Sequence, residues 1–545
     1  MADSFTHEEQ QVLSRFCSNL DKPVFVLTNL PEAVKGALFS RYSRTDKSLR
    51  RVLLDEFINK PEAGFKEIVG EAVKSGAEQA VAIRKAEEFY DRVLVGYGDD
   101  SVAELGGAHI ACEDVSNIAS KVLEDSRIGL SPLEKSTRYV YFNQKNAEGK
   151  YKYYREPDIM KSPHAQLYER TCNLLFDTYS EMMPQVQKYV TDLNPKPADA
   201  TDRAYASTVR AKVCDILRGL LPASALTNVG IFGNGRAFEY LLTKMYASEL
   251  AEVRALAASM QTEFNSTIPS FVKRAPPSDK YGSRTNAYLA ETAKAMRQMT
   301  STLTSQMNPE NFGEVVLVDY DEDAEAKAIA AMLYPYAHAS LKQLRDLASI
   351  MNGGERRRAI ETYLGRRENR RHKPGRALEN VYYTFDVLAN YGAYRDLHRH
   401  RILTQERQEL STLHGYSVPP ELKDIGILDK FEKCMDAANS AYLEISKTHP
   451  RQSQYIVPLA YKIRWYMKMS LREAYHFAEL RSTAQGHPDY RRIAQEIYRK
   501  VGDVHPALVE YMRFVDLGEH KLERLEAEKK ADEKMKEIEK KYGKK

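Results

Sequence analysis

Apolar residues recur at three- and four-residue spacing along most of the chain, which predicts a protein dominated by α-helices. Two segments, 251–264 and 474–485, show this spacing clearly. Strand candidates are few. The β-branched runs Pro23–Leu30 and Glu314–Asp321 each precede a helical pattern, and Val381–Leu388 fits either type of element. We therefore expect an α+β fold in which helix predominates.

Corresponding residues recur in the two halves of the chain. Three pairs of positions have the same separation of 275 residues (379 − 104): Glu104 with Glu379, Glu124 with Arg399, and Ser136 with Ser411. Further along, a proline precedes an arginine by 14 residues in each half, as Pro222 and Arg236, and as Pro458 and Arg472. A repeat of this size indicates a duplicated domain and not a solenoid.

The repeat predicts the domain organisation. We expect an N-terminal domain over residues 1–275, a linker over 276–310 and a C-terminal domain over 311–515. Each domain is expected to contain a small mixed sheet with packed helices. Residues 516–545 alternate in charge, which is typical of a solvated helix or a disordered tail.

Composition excludes several classes of protein. A net charge of +4 over 545 residues is too small to indicate nucleic acid as a partner. No apolar run approaches the roughly 18 residues that a membrane span needs, and the polar N-terminus does not resemble a signal peptide. Five scattered cysteines without a CxxC motif are typical of reduced thiols. We expect a cytoplasmic protein that contacts neither membrane nor nucleic acid.

Two stretches have the residue types of an anion site. "RHRILTQERQELSTLHGY" (399–416) opens with two arginines around a histidine, and "EDSRIGLSPLEKSTRY" (124–139) ends in a serine and an arginine two residues apart. Arginine forks and hydroxyl groups together bind phosphate oxygens. The two stretches share a downstream layout, but each lacks one end of it.

Together the stretches resemble the flavin-dependent thymidylate synthases, the ThyX family. The family signature reads R-H-R-x-x-S, four residues, then S-x-R-Y. The second half supplies Arg399-His400-Arg401, with Thr404 in place of serine, and the first half supplies Ser131 followed by Ser136-Thr137-Arg138-Tyr139. The family's Leu-Pro and Asn-x-Arg elements correspond to Leu221-Pro222 with Asn234 and Arg236, and to Val457-Pro458 with Ser470 and Arg472.

The resemblance implies a reaction and an assembly. The family uses FAD to transfer a one-carbon unit from methylenetetrahydrofolate to dUMP, with NADPH as reductant, which gives dTMP. Its members are typically homotetramers whose active sites lie between subunits. A tandem chain is therefore expected to form a homodimer equivalent to four family subunits.

The resemblance also assigns site residues. Expected substrate contacts are Glu134, Ser136, Arg138, Arg218, Arg399 and Arg481. Arg481 is also expected to be catalytic, because it would stabilise negative charge on the pyrimidine. Expected cofactor contacts are Arg399, His400, Arg401, Arg472, His476, Asn234 and Arg236. No metal is expected, since the arginines beside His398 and His400 would repel a cation.

The losses in the two halves are complementary. The second half has Leu413, His414 and Gln454 at the positions of the phosphate-binding arginines and tyrosine. The first half opens with Glu124-Asp125-Ser126, which would repel a diphosphate, and has Met245 at the position of Arg481. We therefore expect one composite site per chain. The alternative is that both sites have decayed and only the fold remains.

Two departures leave the substrate open. Asp396 replaces a glutamine of the family, and the family's Gly-His-x-Ser/Thr motif appears as Gly98-Asp99-Asp100-Ser101. Alternative functions are therefore a flavin enzyme with another acceptor or one-carbon donor, or a catalytically inactive nucleotide-binding paralogue.

Overall fold

The structure is a computed structural model, and it describes residues 4–59, 103–126, 128–310 and 313–543. The segment Gly98–Ser101 lies outside the described residues. Contacts divide the chain into two compact units. Unit 1 comprises Met1–Val115, Ala119–Glu134 and Asn228–Met307, and unit 2 comprises Ser116–Ile118, Lys135–Thr227 and Asn308–Lys545.

This division cuts across the predicted domains. Residues 135–227 lie in the first repeat by sequence, yet they belong to the same compact unit as the second repeat. Unit 2 therefore contains Ser136, Arg138 and Arg218 together with the arginines of the second repeat.

Unit 1 is built from a three-stranded sheet and surrounding helices. Among the described residues, the elements that lie wholly or mainly in this unit are α1 (His7–Leu13), α2 (Glu32–Tyr42), α3 (Leu49–Val52), a π-helical turn (Leu53–Ile58), β1 (Gly107–Ser116), α4 (Asn117–Glu124), β2 (Leu130–Glu134), β3 (Leu226–Asn234), α8 (Gly235–Tyr246), α9 (Ala251–Asn265), α10 (Pro269–Val272) and α11 (Lys280–Leu303). The strand order is β1-β3-β2, and β2 pairs antiparallel with β3 from Leu130 opposite Gly233. Buried Leu, Val and Phe side chains, including Phe238 and Phe264, form the core.

Unit 2 combines a four-stranded sheet with long helices. Its elements are α5 (Pro157–Met160), α6 (Ala165–Leu193), α7 (Asp202–Leu217), β4 (Val315–Tyr320), α12 (Ala324–Leu333), α13 (Leu341–Ile350), α14 (Gly353–Leu364), β5 (Tyr382–Asn390), α15 (Tyr391–Leu397), β6 (Leu403–Arg407), α16 (Glu421–Ile425), α17 (Leu428–Ser446), β7 (Lys462–Ser470), α18 (Leu471–Arg481), α19 (Pro488–Val504), α20 (Pro506–Val509) and α21 (Leu525–Tyr542). Short 3₁₀ turns occupy Arg218–Leu220, Tyr334–Tyr336, Arg376–Asn380 and Gln452–Ile456.

The sheet of unit 2 has the order β4-β5-β7-β6, and each neighbouring pair is antiparallel. Alternate side chains are buried along most of β7 and in the first half of β5, as expected for strands with one face on a core. Trp465 and Tyr383 are among the largest fully buried side chains of that core. The helix-rich α+β class is confirmed, but this sheet is antiparallel and not the mixed sheet that we expected.

The predictions of single elements had different outcomes. The helix over 251–264 is confirmed, the helix over 474–485 is confirmed as far as Arg481, and the strand over 314–321 is confirmed for 315–320. The segment 381–388, which fitted either type, lies in a strand over 382–390. The predicted strand Pro23–Leu30 is wrong, because Leu27 forms only an isolated bridge with Cys17. β-branched residues favour a strand only where a neighbouring strand is available to pair with it.

The predicted linker and tail both contain helix. Most of 276–310 forms α11, which belongs to unit 1. The tail forms α21, which contacts α7 within unit 2. There Asp532 bonds Thr201 and Arg203, and Lys529 pairs with Asp199 at 2.7 Å.

No helix in the described part of the chain is long and apolar enough to cross a membrane. Each of the five cysteines is a buried free thiol.

Candidate functional site

A cavity of about 300 Å³ lies in unit 2 where the start of α18 meets the segment after α15 and the loop after α14. Six predicted residues line it: Arg399, His400, Arg401, Arg472, His476 and Arg481. Ser470 caps α18 by accepting a hydrogen bond from the amide of Glu473. Arg472 and His476 are one helical turn apart, so both project from the same face of α18 into the cavity.

A hydrogen-bond chain crosses the cavity wall. Nε of Arg481 donates to Nε2 of His400 at 2.8 Å, and Nδ1 of His400 lies 2.6 Å from Oε1 of Glu473. A guanidinium has only donors, so Nε2 of His400 must be the acceptor and its proton must lie on Nδ1. His400 is thus a neutral imidazole in one defined tautomer that donates to Glu473.

The titration of these groups follows from burial. Burial raises the pKa of Glu473 to about 8, although Lys373, Arg481 and Arg472 oppose the shift. Burial lowers the pKa of His400 well below its ordinary value, and Arg481 adds to this effect. Burial and the nearby cation Lys373 lower the pKa of His476 to about 4. At neutral pH the cavity therefore holds neutral histidines and a largely protonated Glu473.

His400, Glu473 and His476 have ligand atoms within 4.8 Å of one another, which is the residue set of a small metal site. The donor chemistry argues against a cation. Both ring nitrogens of His400 are engaged with Arg481 and Glu473. Arginines on the same wall would repel a metal ion.

Arg138, which we predicted to bind phosphate, is buried in an ion pair. Its Nε and Nη2 donate to the two carboxylate oxygens of Asp215 at 2.8 and 2.7 Å. Its Nη1 donates to the hydroxyl of Tyr490 at 3.1 Å. Ser136 accepts a hydrogen bond from the amide of Arg138 at 3.2 Å. Neither Ser136 nor Arg138 is among the described residues that line the cavity.

Arg218 lines a different cavity of about 410 Å³ in unit 2. Its Nη1 donates to Asp396 at 2.8 Å, and its Nη2 has no hydrogen-bond partner among the described residues. Gly392 leaves room beside it, because a Cβ there would lie 3.2 Å from Nε of Arg218. Burial disfavours the charge of Asp396, but Arg218, Arg399 and Arg138 hold its pKa well below the usual range.

Asp396 links residues of the two repeats. It interacts electrostatically with Arg218 and Arg138 of the first repeat and with Arg399 of the second. Arg481 interacts in turn with Asp396 and Arg399. The structure thus places four predicted substrate residues in one charge network inside unit 2, but it distributes them over two cavities and a buried ion pair.

The remaining predicted residues lie in unit 1. Glu134 accepts from Lys121 at 2.9 Å and from Ser120 at 3.1 Å, and Lys121 also bonds Glu124. All four side chains are buried. Glu124, which we expected to repel a diphosphate, bonds a lysine inside the unit.

Asn234 and Arg236 line a cavity of about 810 Å³ in unit 1. The side chain of Asn234 caps α8 by accepting from the amide of Ala237 at 2.8 Å. Arg236 pairs with Glu104 at 2.7 Å, and both side chains are about half exposed. The second repeat has the equivalent pair, Arg472 with Glu379 at 2.8 Å.

Sequence reasoning missed part of the cavity in unit 2. Arg367, Arg370 and Lys373 line it, and they belong to the segment 365–376, which holds six lysines and arginines. That local density of positive charge was the available signal. Glu473 gave no such signal, because an acidic residue in the first turn of a helix is common.

Comparison with known proteins agrees with the resemblance. The family described as "Thymidylate synthase complementing protein" matches residues 53–270 and 316–507. The chain therefore belongs to this family, Thy1, and contains its domain twice. The two matched regions correspond to the two halves of the repeat.

Similar proteins include two that match this chain over nearly their whole length. A "UPF0159 protein" of Chlamydia pneumoniae is 45% identical over 96% of this chain and 98% of its own length. A second "UPF0159 protein", of Thermoplasma acidophilum, is 34% identical over 91% of this chain and 97% of its own length. A "Flavin-dependent thymidylate synthase" of Geobacter sulfurreducens is 24% identical over 36% of this chain and 84% of its own length.

A solved structure, a "UMP/dUMP methylase PolB" from Streptomyces cacaoi bound with 5-Br dUMP, matches 36% of this chain and 93% of its own. Its identity is 18% and its TM-score is 0.30, a score too low for an inference.

Proposed function

We propose that the protein is an FAD-dependent, thymidylate synthase-like methyltransferase. It would transfer a one-carbon unit from methylenetetrahydrofolate to a uracil nucleotide, converting dUMP to dTMP with NADPH as reductant. The observation that supports this most is the cavity of unit 2, where the signature triplet Arg399-His400-Arg401 meets Arg472, His476 and Arg481.

The donor set of this cavity suits a flavin diphosphate. Seven cationic side chains among the described residues line it: Arg367, Arg370, Lys373, Arg399, Arg401, Arg472 and Arg481. Three carboxylates accompany them, and that of Glu473 is largely protonated at neutral pH. Charge-assisted bonds from arginine to phosphate are among the strongest available to a protein. Bound there, the flavin would supply the redox chemistry of the reaction.

The size of the cavity supports a dimer. About 300 Å³ is at the lower end of the range for ligand pockets, so unit 2 by itself would enclose only part of a dinucleotide. The remainder would be contacted by a second chain, as in the family's shared sites. Buried free cysteines support a cytoplasmic location.

Arg481 would act on the pyrimidine. His400 accepts from its Nε and thereby fixes the plane of the guanidinium. A guanidinium held in place stabilises negative charge that develops on a base without reorganising during the step. Arg138 and Arg218 would bind the nucleotide phosphate, which must then compete with Asp215 and Asp396 for them.

Two measurements test the proposal. The purified protein should show the visible absorption of an oxidised flavin. Calorimetric titration with dUMP should saturate near one nucleotide per chain, and Arg138→Ala and Arg481→Ala should each abolish binding. Leu413→Ala, at the second-repeat position of Arg138, is the control and should change little. Two equivalent sites per chain would contradict the composite site.

One observation favours another acceptor. Both arginines predicted to bind phosphate are already paired with carboxylates, Arg138 with Asp215 and Arg218 with Asp396. Incubation of the reduced protein and methylenetetrahydrofolate with dUMP, dCMP or UMP would identify the acceptor. Retained nucleotide binding without turnover of any of the three would instead indicate an inactive paralogue.

A further inference from the structure

Glu473 lies in the cavity wall, and one of its two carboxylate oxygens is hydrogen-bonded to another side chain. Oε1 accepts from His400, whereas Oε2 has no hydrogen-bond partner among the residues that the structure describes. The residue is 7% exposed and lines the cavity. A carboxyl group anchored in this way presents its second oxygen to a bound ligand.

We infer that Glu473 is the acid–base residue of this cavity and accepts the proton that leaves C5 of the uracil ring. This inference rests on the proposed function, because one-carbon transfer to C5 replaces a hydrogen by a carbon group. After the carbon has bonded to C5, the C5–H bond breaks. Its electron pair restores the C5–C6 double bond, and the proton passes to the carboxylate of Glu473, which later releases it to solvent.

Other groups in the cavity are less suited to this role. His400 has both nitrogens engaged, and His476 holds a proton poorly because its pKa is lowered to about 4. Glu479 is bound by both arms of Arg367 at 2.8 and 2.6 Å. Glu379 pairs with Arg472. Of the described acids in the cavity wall, Glu473 is the one bonded only to a neutral partner.

The titration of Glu473 fits the role. Its pKa of about 8 results from burial, opposed by Lys373, Arg481 and Arg472, while the neighbouring His400 and His476 remain neutral. A general base works best when its pKa lies near the working pH. The reaction rate should therefore rise with pH to a plateau above about pH 8.

The two repeats differ at this position. By the 236-residue separation that relates Arg236 to Arg472 (472 − 236), the first-repeat equivalent of Glu473 is Ala237. At this position the second repeat has an acid–base group and the first repeat has none. This asymmetry agrees with one catalytic site per chain.

The test is tritium release from dUMP labelled at C5, measured with the flavin-loaded, full-length protein and methylenetetrahydrofolate. Glu473→Gln keeps an oxygen that accepts from His400 but cannot take up a proton. We expect release to fall by about 10²- to 10⁴-fold and its rise with pH to disappear. Glu473→Asp, which retains the acid, should restore part of the pH-dependent release.

Glu156→Gln is the matched control. Glu156 is also a buried glutamate of unit 2 with a raised pKa, but it caps α5, and release should be unchanged. Retained FAD binding would show that the Glu473 variants are folded. Equal release by the wild type and Glu473→Gln would overturn the inference alone. No release by the wild type would overturn the proposed function, and the inference with it.

Discussion

Equivalent positions in the two repeats have opposite charges. Lys121 and Glu124 in unit 1 correspond, 275 residues later (396 − 121), to Asp396 and Arg399 in unit 2. In unit 1 the acid and the lysine are buried against each other. In unit 2 the acid faces arginines of both repeats, and Arg399 lines the cationic cavity.

The comparison shows how a duplicated domain diverges. In the first copy these two positions form a buried ion pair. In the second copy the arginine lies in the wall of the cationic cavity. The nearby pairs Arg236–Glu104 and Arg472–Glu379 remain the same in both copies. The two copies thus share this ion pair but differ in charge at the positions of Lys121 and Glu124.

The largest expected effect concerns the buried ion pair of Lys121 and Glu124 in unit 1. Lys121→Met would remove the buried cation that bonds Glu124 and Glu134. Removing one partner of a buried pair costs about 3–5 kcal/mol, so unit 1 should unfold at much lower urea concentration. Lys47→Met, which removes a partly exposed pair with Asp55 at 2.8 Å, is the control and should cost less than about 1 kcal/mol. Equal costs for both variants would contradict a structural role of Lys121.

The next effect concerns Arg399, the second-repeat residue that corresponds to Glu124. Arg399→Ala removes a guanidinium from the cationic cavity, and a charged hydrogen bond contributes about 1.5–3 kcal/mol. FAD should therefore bind roughly 10- to 100-fold more weakly, as measured by fluorescence titration. Glu124→Gln, at the equivalent position of unit 1, should leave the affinity unchanged. Undiminished FAD binding by Arg399→Ala would disprove the flavin assignment.

A further effect is a change of folding stability with pH. The folded-state pKa of Glu473, about 8, exceeds the ordinary value of 4.5, so the folded state keeps a proton that the unfolded state loses. The contribution of Glu473 to stability should therefore fall as pH rises from about 4.5 to about 8. Glu473→Gln lacks this loss and should be more stable than the wild type at pH 8.5 by an amount on the order of a few kcal/mol, since one pKa unit corresponds to about 1.4 kcal/mol. Urea unfolding midpoints of the wild type and Glu473→Gln should be measured at pH 5 and pH 8.5. An identical change of stability with pH in both proteins would refute the raised pKa of Glu473.

The smallest effect compares the two retained pairs. Arg236→Ala removes an ion pair that is about half exposed, which contributes less than about 1 kcal/mol to stability. Arg236→Ala should lower the affinity for FAD less than Arg472→Ala does, because Arg472 lies among the other cations that line the cavity of unit 2. The FAD affinities of the two variants should be measured side by side. A larger loss of affinity in Arg236→Ala would indicate that the cavity of unit 1 is the main flavin site.

The sequence predicted the family and the helix-rich class, and six of the residues that it proposed for the site line one cavity of unit 2. These follow from local patterns: a signature triplet, helical spacing and a repeat separation. It failed at Pro23–Leu30, where the composition suits a strand but only an isolated bridge forms. It also did not indicate that residues 135–227 belong to unit 2. Strand pairing and unit membership depend on segments far away in the chain.

The amino-acid sequence by itself therefore determined that this protein is a duplicated Thy1 chain and which residues differ between its copies. Only the tertiary structure decided the charge state of those residues. Asp215 lies 77 positions from Arg138, Asp396 lies 178 from Arg218, and His400 lies 81 from Arg481. A pKa or a neutralised charge results from burial and from partners that folding brings together, and such partners have no fixed spacing in the sequence.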